Sequence, residues 1–295
     1  MPKAKFHRLR FAPSPNGYLH LGHAYSALLN GKICSDIGAA FLVRMEDIDQ
    51  TRSRPEFVDA IYEDLKWLGL SWPEPVMAQS KRFSAYEEKL NWLIEQKLVY
   101  RAFLSRKEIR AFADAHRNKT GSEWPSDPDG TPLYPDLCKQ LSPALSNQRA
   151  KDGEAFTWRL DMAKAISTAG DDLTWTEYDL EFNPTIIKAD PAAWGDVIIA
   201  RKDVPTSYHL SVVLDDAAQD IDLIVRGMDL YHSTSVHRLL QRLFELPEPG
   251  YLHHKLILDE DGRKLSKSNQ DTSLRALRDE QGTTSDEIKK MLGFQ

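Results

Sequence analysis

The first hundred residues alternate between strand-like and helix-like patterns, and this alternation constrains the fold more than any other feature of the chain. Residues 9–12 are a strand candidate that ends in the turn sequence 13–17, a helix pattern runs from about 22 to 37, and residues 40–45 are again apolar and of strand length. Strands and helices alternating at this spacing favour a parallel sheet with helices over its faces.

Two S-x-x-E sequences predict further helix starts. Ser53 with Glu56, and Ser84 with Glu87, have the spacing of a capping box, in which each side chain accepts from the backbone N–H of the other residue. Apolar residues follow both at helical spacing, and Gly69 stands where the first of these helices would end. We therefore expect two more helices before residue 100.

The chain changes character between residues 115 and 153, where eight proline and glycine residues interrupt the apolar repeats. This composition predicts a loop-rich inserted subdomain. A helix is expected beyond it from about residue 234 to 244, and three apolar segments predict a return to strands: 197–200, 212–214 and 221–225.

These patterns divide the chain into four expected parts. They are the first half of a catalytic domain (1–100), an inserted subdomain (101–190), the second half of the catalytic domain (191–255), and a loop with a short tail (256–295).

Composition narrows the class of protein. A chain of 295 residues with a net charge of −6 is unsuited to coating nucleic acid, although a local basic face stays open. Two cysteines, Cys34 and Cys138, cannot build a disulfide framework, and the amino terminus has no signal-peptide pattern, so we expect a cytoplasmic protein. No apolar run approaches the roughly 20 residues of a membrane span, and nothing indicates an obligate protein partner.

The sequence His20-Leu21-Gly22-His23 opens the predicted helix after the first turn. A helix amino terminus presents unpaired N–H groups and the positive end of its dipole, which favours phosphate. The two histidines share one helix face, and Gly17 and Gly22 let a base or a phosphate approach the backbone. The motif alone fits a nucleotide site and a solvated helix start about equally well.

A second motif near the other end of the chain, Gly262-Arg263-Lys264-Leu265-Ser266-Lys267-Ser268, carries three cations and two hydroxyl groups. Such a loop can close over a triphosphate and neutralise charge that develops during phosphoryl chemistry. A basic loop by itself is usually a solvated turn. Together, however, the two motifs resemble the paired signatures of class I aminoacyl-tRNA synthetases.

This resemblance implies a fold and a co-substrate. The fold is α/β, with a Rossmann-type parallel sheet that carries helices on both faces and is split by the insertion. The co-substrate is ATP with Mg²⁺, and the implied ATP-binding residues are Gly17, His20, Gly22, His23, Lys264, Leu265, Ser266, Lys267 and Ser268.

Further sequences resemble the glutamyl branch of the class, and they occur in the same order: 10–15 (RFAPSP), 44–49 (RMEDID), 208–210 (YHL), 225–227 (VRG) and 264–268. Residues 226–230 (RGMDL), followed by Ser233 and Thr234, resemble the glutamyl-queuosine tRNA(Asp) synthetases more than full-length glutamyl-tRNA synthetases. The chain also ends soon after the second motif, so we expect no anticodon-binding domain.

The resemblance implies a glutamate site. Glutamate has two carboxylates and one ammonium group, and the implied residues supply two guanidinium groups and one carboxylate, in which arginine forks match carboxylates. Either arginine could take the side-chain carboxylate. The implied residues are Arg10, Phe11, Ala12, Pro13, Ser14, Glu46, Tyr208 and Arg226.

One departure from the family concerns zinc. The family often carries a C-x-C pair followed by a tyrosine and a third cysteine, but here Ala102 and Leu104 occupy the positions of the pair, while Tyr134 and Cys138 persist. Two residues fall short of the three or four ligands that zinc needs, and a lone His116 is more often solvated. We therefore expect no zinc, and an insertion held by apolar contacts and turns.

The implied reaction has two steps. The α-carboxylate of glutamate attacks the α-phosphate of ATP, while His20, His23 and Lys267 stabilise the charge that grows on the phosphoryl oxygens. The adenylate is then attacked by the cyclopentenediol of queuosine in the anticodon loop of tRNA(Asp). One candidate basic surface for this tRNA consists of Arg238, Arg242, His253, His254 and Lys255.

Three other functions stay open. The chain could be a glutamyl-tRNA synthetase core that charges the 3′ end of tRNA, or an HxGH nucleotidyltransferase, although the latter would leave the glutamate residues unexplained. It could also be a catalytically silent nucleotide- or RNA-binding regulator. Intact HLGH and KLSKS motifs argue against a silent protein, because it has no chemical need for either.

Overall fold

A computed structural model of the chain describes residues 6–257 and 272–294. The strands are β1 (Arg8–Phe11), β2 (Ala40–Met45), β3 (Met77–Ala78), β4 (Val99–Ala102), β5 (Thr157–Leu160), β6 (Thr174–Tyr178), β7 (Pro184–Lys188), β8 (Ile198–Arg201), β9 (Leu223–Gly227) and β10 (Gly250–His254). The helices are α1 (Leu21–Ile37), α2 (Pro55–Trp67), α3 (Phe83–Glu95), α4 (Arg106–Thr120), α5 (Pro143–Lys151), α6 (Met162–Ala169), α7 (Tyr208–Ala218), α8 (Thr234–Leu243), α9 (Leu274–Asp279) and α10 (Ser285–Met291).

A parallel sheet forms the centre of the fold. β2 pairs in parallel with β1 on one side and with β3 on the other, and β9 pairs in parallel with β10. The two groups meet where β1 lies beside β9, and the backbone N–H of Asp222 donates to the carbonyl of Arg8 at 3.2 Å. The strand order is therefore β3-β2-β1-β9-β10, which is a doubly wound arrangement.

Alternate side chains of these strands enter two different apolar layers. Phe41, Leu223 and Leu252 pack with α1 and α2, whereas Ile224 and Tyr251 pack with α7 and α8 on the opposite face. Because successive side chains in a strand point to opposite faces, a sheet covered on both sides must be apolar at nearly every position. The predicted α/β fold with helices on both faces is confirmed.

The middle of the chain builds a second, antiparallel sheet of β4, β5 and β8, with α4 and α5 beside it. It also returns to the central sheet, because β6 pairs in parallel with β10 and β7 pairs with β6. The β6–β7 hairpin thus extends the catalytic sheet, although it falls within the range 101–190 expected as the insertion. The four-part division of the chain stays a prediction.

Three local predictions are wrong. Residues 212–214 are not a strand but lie within α7, whose residues from Leu210 to Asp216 are all buried, so the helix shows no polar stripe that would reveal its period. Ser53 does not cap α2, because Pro55 begins the helix and Arg54 precedes it. Ser84 lies inside α3, which begins one residue earlier, at Phe83.

A small apolar core occupies the region where the family's zinc ligands would lie. Ala102 and Cys138 are buried together, with Leu104 packed against them. The hydroxyl of Tyr134 donates to the sulfur of Cys138 at 2.9 Å and accepts from the backbone N–H of Leu104 at 3.2 Å. The polar atoms of Tyr134 and Cys138 therefore satisfy each other, and this donor set does not fit a tetrahedral metal.

The last two helices pack against the first half of the chain. Leu274 and Ile288 are fully buried in the layer that contains α1 and α2, and the backbone N–H of Leu274 donates to the carbonyl of Leu19 at 2.8 Å. Arg278 reaches the buried carboxylate of Asp64 at 2.9 Å. None of the helices described is long and apolar enough to cross a membrane.

Asp215 joins α7 to the segment around α3, and its removal should destabilise the fold. Its fully buried carboxylate accepts from Gln79 (2.8 Å), from Arg82 (2.6 Å) and from the hydroxyl of Tyr86 (2.7 Å). We expect Asp215→Asn to lower the free energy of unfolding by about 2–4 kcal/mol, because one amide oxygen cannot serve three donors. Chemical denaturation measures the change.

The matched control is Asp220→Asn, two residues beyond the end of α7. Asp220 is 78% exposed and, among the described residues, pairs with Arg8 alone, so its loss should cost less than about 0.5 kcal/mol. Equal losses in the two variants would contradict the role given to Asp215.

Candidate active site

A cavity of about 680 Å³ opens at the carboxyl ends of β1, β2 and β9. In open α/β sheets, ligands bind at this edge, near the point where the strand order reverses. The structure brings eleven of the residues predicted for the glutamate and ATP sites to its wall: Arg10, Phe11, Ala12, Pro13, Ser14, His20, Gly22, His23, Glu46, Tyr208 and Arg226. Gly17 lies in the neighbouring turn and does not line the cavity. The roles of these residues stay predictions.

The alternation of side chains explains why the charged residues converge. Arg10, Arg44 and Arg226 occupy strand positions between residues that enter the α1–α2 layer, so all three point to the α7 side of the sheet. Glu46 follows Arg44 by two residues and shares its face. Strand register alone therefore gathers three guanidinium groups and a carboxylate below one cavity.

Asp216 on α7 connects two of these arginines. It accepts from the Nε of Arg10 at 2.8 Å and from the Nη1 of Arg44 at 2.7 Å, and all three side chains are at least 95% buried. The Nη2 of Arg44 donates to Glu46 at 3.1 Å. The result is a buried chain of alternating charges, Arg10–Asp216–Arg44–Glu46, whose formal charges cancel.

Glu46 ends this chain at the cavity. Burial raises the pKa of its carboxyl, while Arg44 and Arg10 pull the pKa down without fully offsetting the burial. A carboxylate whose negative charge is only partly compensated by its neighbours is suited to bind an ammonium group. Tyr208 lines the same cavity, and burial raises the pKa of its hydroxyl to about 12, so the hydroxyl stays a hydrogen-bond donor.

Arg226 is held by a different kind of partner. Its Nε donates to His253 at 3.0 Å, its Nη1 to His237 at 3.1 Å, and its Nη2 to the hydroxyl of Thr234 at 2.7 Å. The hydroxyl of Tyr208 lies at 3.5 Å from Nη1. Among the residues that the structure describes, no carboxylate lies within ion-pairing distance of this guanidinium group.

The two histidines of the HLGH motif contact each other at the start of α1. The Nδ1 of His20 accepts from the backbone N–H of Gly22 at 3.1 Å, and the Nδ1 of His23 accepts from the backbone N–H of His20 at 3.2 Å. Their ring centroids are 3.8 Å apart. A β-carbon at Gly22 would lie 3.0 Å from the His20 ring, so any larger residue would push against this ring.

The second motif, including the predicted catalytic Lys267 and the residues from Lys264 to Ser268, lies outside the described residues. The residues on either side of this gap, however, are close to the HLGH motif. Leu256 and Ile257 line the cavity before the gap, and Ser273 forms an antiparallel bridge with His20 after it.

The prediction of a basic surface for tRNA around α8 is wrong for most of the residues it named. Arg238, His253 and His254 are buried, with at most 8% of each exposed. Arg238 contacts Glu248 and the carbonyl of Thr174, and Arg242 pairs with Asp172. These cations stabilise the fold, because β6 and the loop that precedes β6 cover α8.

A second cleft, of about 980 Å³, adjoins the cavity, and Tyr208 and Arg52 contribute to the walls of both. The cleft runs between the α4 region and the catalytic sheet. Arg106, Arg110 and Arg201 line it, and none of the three has a carboxylate partner among the described residues.

Sequence reasoning missed Arg44, Asp216 and the histidine pair His209–His237. A signal for Arg44 was present, since Arg44-Met45-Glu46 places two charges on one face of an otherwise apolar strand. The acidic pair that ends the apolar run 210–216 was a signal for Asp216, had that run been identified as a helix. No group of three or more potential metal ligands occurs in residues 6–257 and 272–294.

A family model described as the catalytic domain of class I tRNA synthetases (E and Q) matches residues 7–292. The chain belongs to this family. The resemblance and the enzyme class inferred from its motifs are thereby confirmed, and the cavity lies in the matched catalytic domain.

Individual relatives agree. A glutamyl-Q tRNA(Asp) synthetase of Rhodobacter capsulatus is 40% identical over 294 residues, which cover 97% of this chain and 99% of that protein. A glutamate–tRNA ligase of Aquifex aeolicus is 33% identical, covering 92% of this chain and 54% of that protein. The crystal structure of a glutamate-tRNA synthetase from Elizabethkingia anophelis covers 90% of this chain and 53% of its own, with a TM-score of 0.71 and 24% identity; this likeness concerns the fold.

The buried histidines of this class I domain predict a loss of stability in acid. Burial, together with the charge of Arg226, lowers the pKa of His209 to about 4 and that of His237 well below 6.5. The unfolded chain therefore takes up these protons first as the pH falls. We expect the free energy of unfolding to be unaffected by these groups above pH 6.5 and to drop between pH 6.5 and 4, by up to about 1.4 kcal/mol per pH unit per histidine.

Denaturation at a series of pH values measures this slope. His209→Gln, which keeps an acceptor for His237, should reduce the slope, while His116→Gln on the surface of the insertion should leave it unchanged. A wild-type slope that persists in His209→Gln would contradict the assignment.

Proposed function

We propose that this protein activates L-glutamate with ATP, forming glutamyl-adenylate and pyrophosphate, and transfers the glutamate to the queuosine base in the anticodon of tRNA(Asp). The observation that carries the proposal is the convergence of Arg10, Glu46 and Arg226 on one cavity beside His20 and His23. The match along nearly the whole length of the glutamyl-Q tRNA(Asp) synthetase from R. capsulatus supports the choice of acceptor.

The charges of the cavity suit glutamate. Glu46 would receive the ammonium group, while the hydroxyl of Tyr208 and the guanidinium groups of Arg10 and Arg226 would receive the carboxylates. No hydrogen bond joins the Nη1 of Arg10 to a described residue, so this nitrogen could donate to a ligand. A site of buried charge-assisted hydrogen bonds rejects a ligand that lacks the matching group by about 10⁴-fold, since its own groups would be left unpaired.

The reacting phosphate would lie at the amino terminus of α1. The backbone N–H groups and dipole of the helix, with His20 and His23, would stabilise the charge on the α-phosphate during attack by the glutamate carboxylate. Lys267 takes part by resemblance to the family. Mg²⁺, which usually accompanies ATP in such enzymes, would supply positive charge to the phosphates.

The acceptor RNA would occupy the cleft that adjoins the cavity. Tyr208 belongs to both walls, so a nucleotide in the cleft can reach an adenylate in the cavity. Arg106, Arg110 and Arg201, which have no carboxylate partner in the described part of the chain, would bind backbone phosphates. This surface replaces the basic surface around α8, where Arg238, His253 and His254 are buried.

Alternatives differ in the acceptor or in the substrate. Charging of the tRNA 3′ end remains the nearest one, since glutamate–tRNA ligases share the catalytic domain. A nucleotidyltransferase or a silent regulator would leave Arg10, Glu46 and Arg226 without a ligand. We place the reaction in the cytoplasm, in agreement with the two buried free cysteines.

Glutamate-dependent exchange of pyrophosphate into ATP tests the activation step. We expect exchange with glutamate, in the absence of tRNA, and little with glutamine or aspartate. His23→Ala and Lys267→Ala should each reduce it about a hundredfold, because each removes a group that stabilises the transition state. His116→Ala is the control, and circular dichroism shows whether each variant is folded.

Absence of exchange with glutamate would overturn the proposed function. Near-normal exchange in both variants would overturn only the roles of His23 and Lys267.

Transfer of labelled glutamate tests the acceptor. We expect transfer to tRNA(Asp) that contains queuosine and none to the queuosine-free form. The double variant Arg106→Ala/Arg110→Ala should weaken tRNA binding and reduce the slope of log affinity against log salt by about one per lost phosphate contact, while exchange persists. Lys107→Ala, on the same helix but outside the cleft, should bind normally. Glutamate that is transferred equally to queuosine-free tRNA would favour 3′-end charging.

A further inference from the structure

In the part of the chain that the structure describes, the hydrogen-bond acceptors of the buried cation Arg226 are all neutral. A guanidinium group has five N–H donors. In this protein they contact the rings of His237 and His253, the hydroxyls of Tyr208 and Thr234, and the backbone carbonyl of Leu230. Arg226 is 5% exposed, so its position is fixed while its charge is not neutralised by direct contact.

The hydrogen bonds determine the protonation of His237. A guanidinium group can only donate, so the Nδ1 of His237 must accept from Arg226, and the ring proton must be on Nε2. That Nε2 lies 3.2 Å from the Nδ1 of His209, which accepts in turn. Both rings are therefore neutral, in agreement with the lowered pKa values of His209 and His237.

The hydrogen bond between Arg226 and His253 fixes the protonation of His253 in the same way. The Nε2 of His253 accepts from Arg226, which places the proton of His253 on Nδ1, and Nδ1 donates to Glu177 at 2.9 Å. The carboxylate is thus separated from the guanidinium group by the width of an imidazole ring. Its charge supports the network without forming an ion pair with Arg226.

We propose that His237 is a positioning residue that holds Arg226 toward the cavity by a neutral hydrogen bond, so that the charge of Arg226 remains available for the acidic side chain of the amino acid. This inference rests on the proposed glutamate site. It concerns discrimination between glutamate and its uncharged analogue glutamine.

Charge in the ion-pair network beside Arg226 supports this role. Arg10 and Arg44 face Asp216 and Glu46, so these four formal charges sum to zero. Glutamate carries a net charge of −1 at neutral pH, and glutamine carries none. The positive charge of Arg226 therefore matches the one charge by which the two amino acids differ. A carboxylate at position 237 would neutralise the charge of Arg226 and remove the preference for glutamate.

The test compares His237→Glu, His237→Gln and Arg226→Gln in pyrophosphate exchange, with glutamate and with glutamine as substrates. The ratio of kcat/KM for the two amino acids is the readout, because it does not change if only part of a variant is folded. We expect His237→Glu to lower this ratio about tenfold or more, mainly through the KM for glutamate, with the KM for ATP unchanged.

His237→Gln supplies an amide oxygen that can accept the same bond, so its ratio should stay within about threefold of the wild-type value. Arg226→Gln should lower the ratio at least as far as His237→Glu does. His116→Gln serves as the control for a histidine outside the site.

The outcomes separate the two proposals. If Arg226→Gln lowers the ratio and His237→Glu does not, the positioning role is overturned and the glutamate site stands. If Arg226→Gln leaves the ratio unchanged, the assignment of Arg226 is overturned and the role of His237 falls with it. If the wild-type protein shows no exchange with glutamate, the proposed function itself is overturned.

Discussion

The carboxylate of Asp216 forms the two ion pairs on which the geometry of the cavity depends. From its position on α7 it binds Arg10 of β1 and Arg44 of β2, and through Arg44 it orients Glu46, the residue that follows β2. Burying a charge is costly unless it is paired, and breaking a buried pair typically costs about 3–5 kcal/mol. The network can therefore persist only as a complete unit. The strands place Arg10, Arg44 and Glu46 on the face of the sheet that α7 covers. The packing of α7 on the sheet therefore also orders the charged groups at the cavity.

Much of this could be predicted from the sequence, because it depends on local patterns. The extents of β2, α1 and α8 follow from hydrophobic periodicity, and the motifs identified most of the residues around the cavity. The starts of α2 and α3 were predicted wrongly, since a capping box is a weak signal beside a proline at the first helical position. The burial of α7 could not be predicted, because a helix covered on all sides has no period to read.

Long-range pairs were beyond the sequence for a different reason. Arg10 and Asp216 are separated by 206 positions, and nothing local indicates that they meet. The same holds for Arg238, which looks like a surface cation on a helix but is covered by β6. In the insertion, local sequence was more informative, since alanine and leucine have no group that can bind a metal. There, Tyr134 and Cys138 pair with each other within a small apolar core.

Tyr208 and Arg52 each contribute to the walls of both the cavity and the cleft. A mixed anhydride such as an acyl-adenylate is rapidly destroyed by water, so an enzyme that makes one gains by consuming it where it forms. With walls in common, the cavity and the cleft would let the activated acyl group meet its nucleophile without first dissociating from the protein.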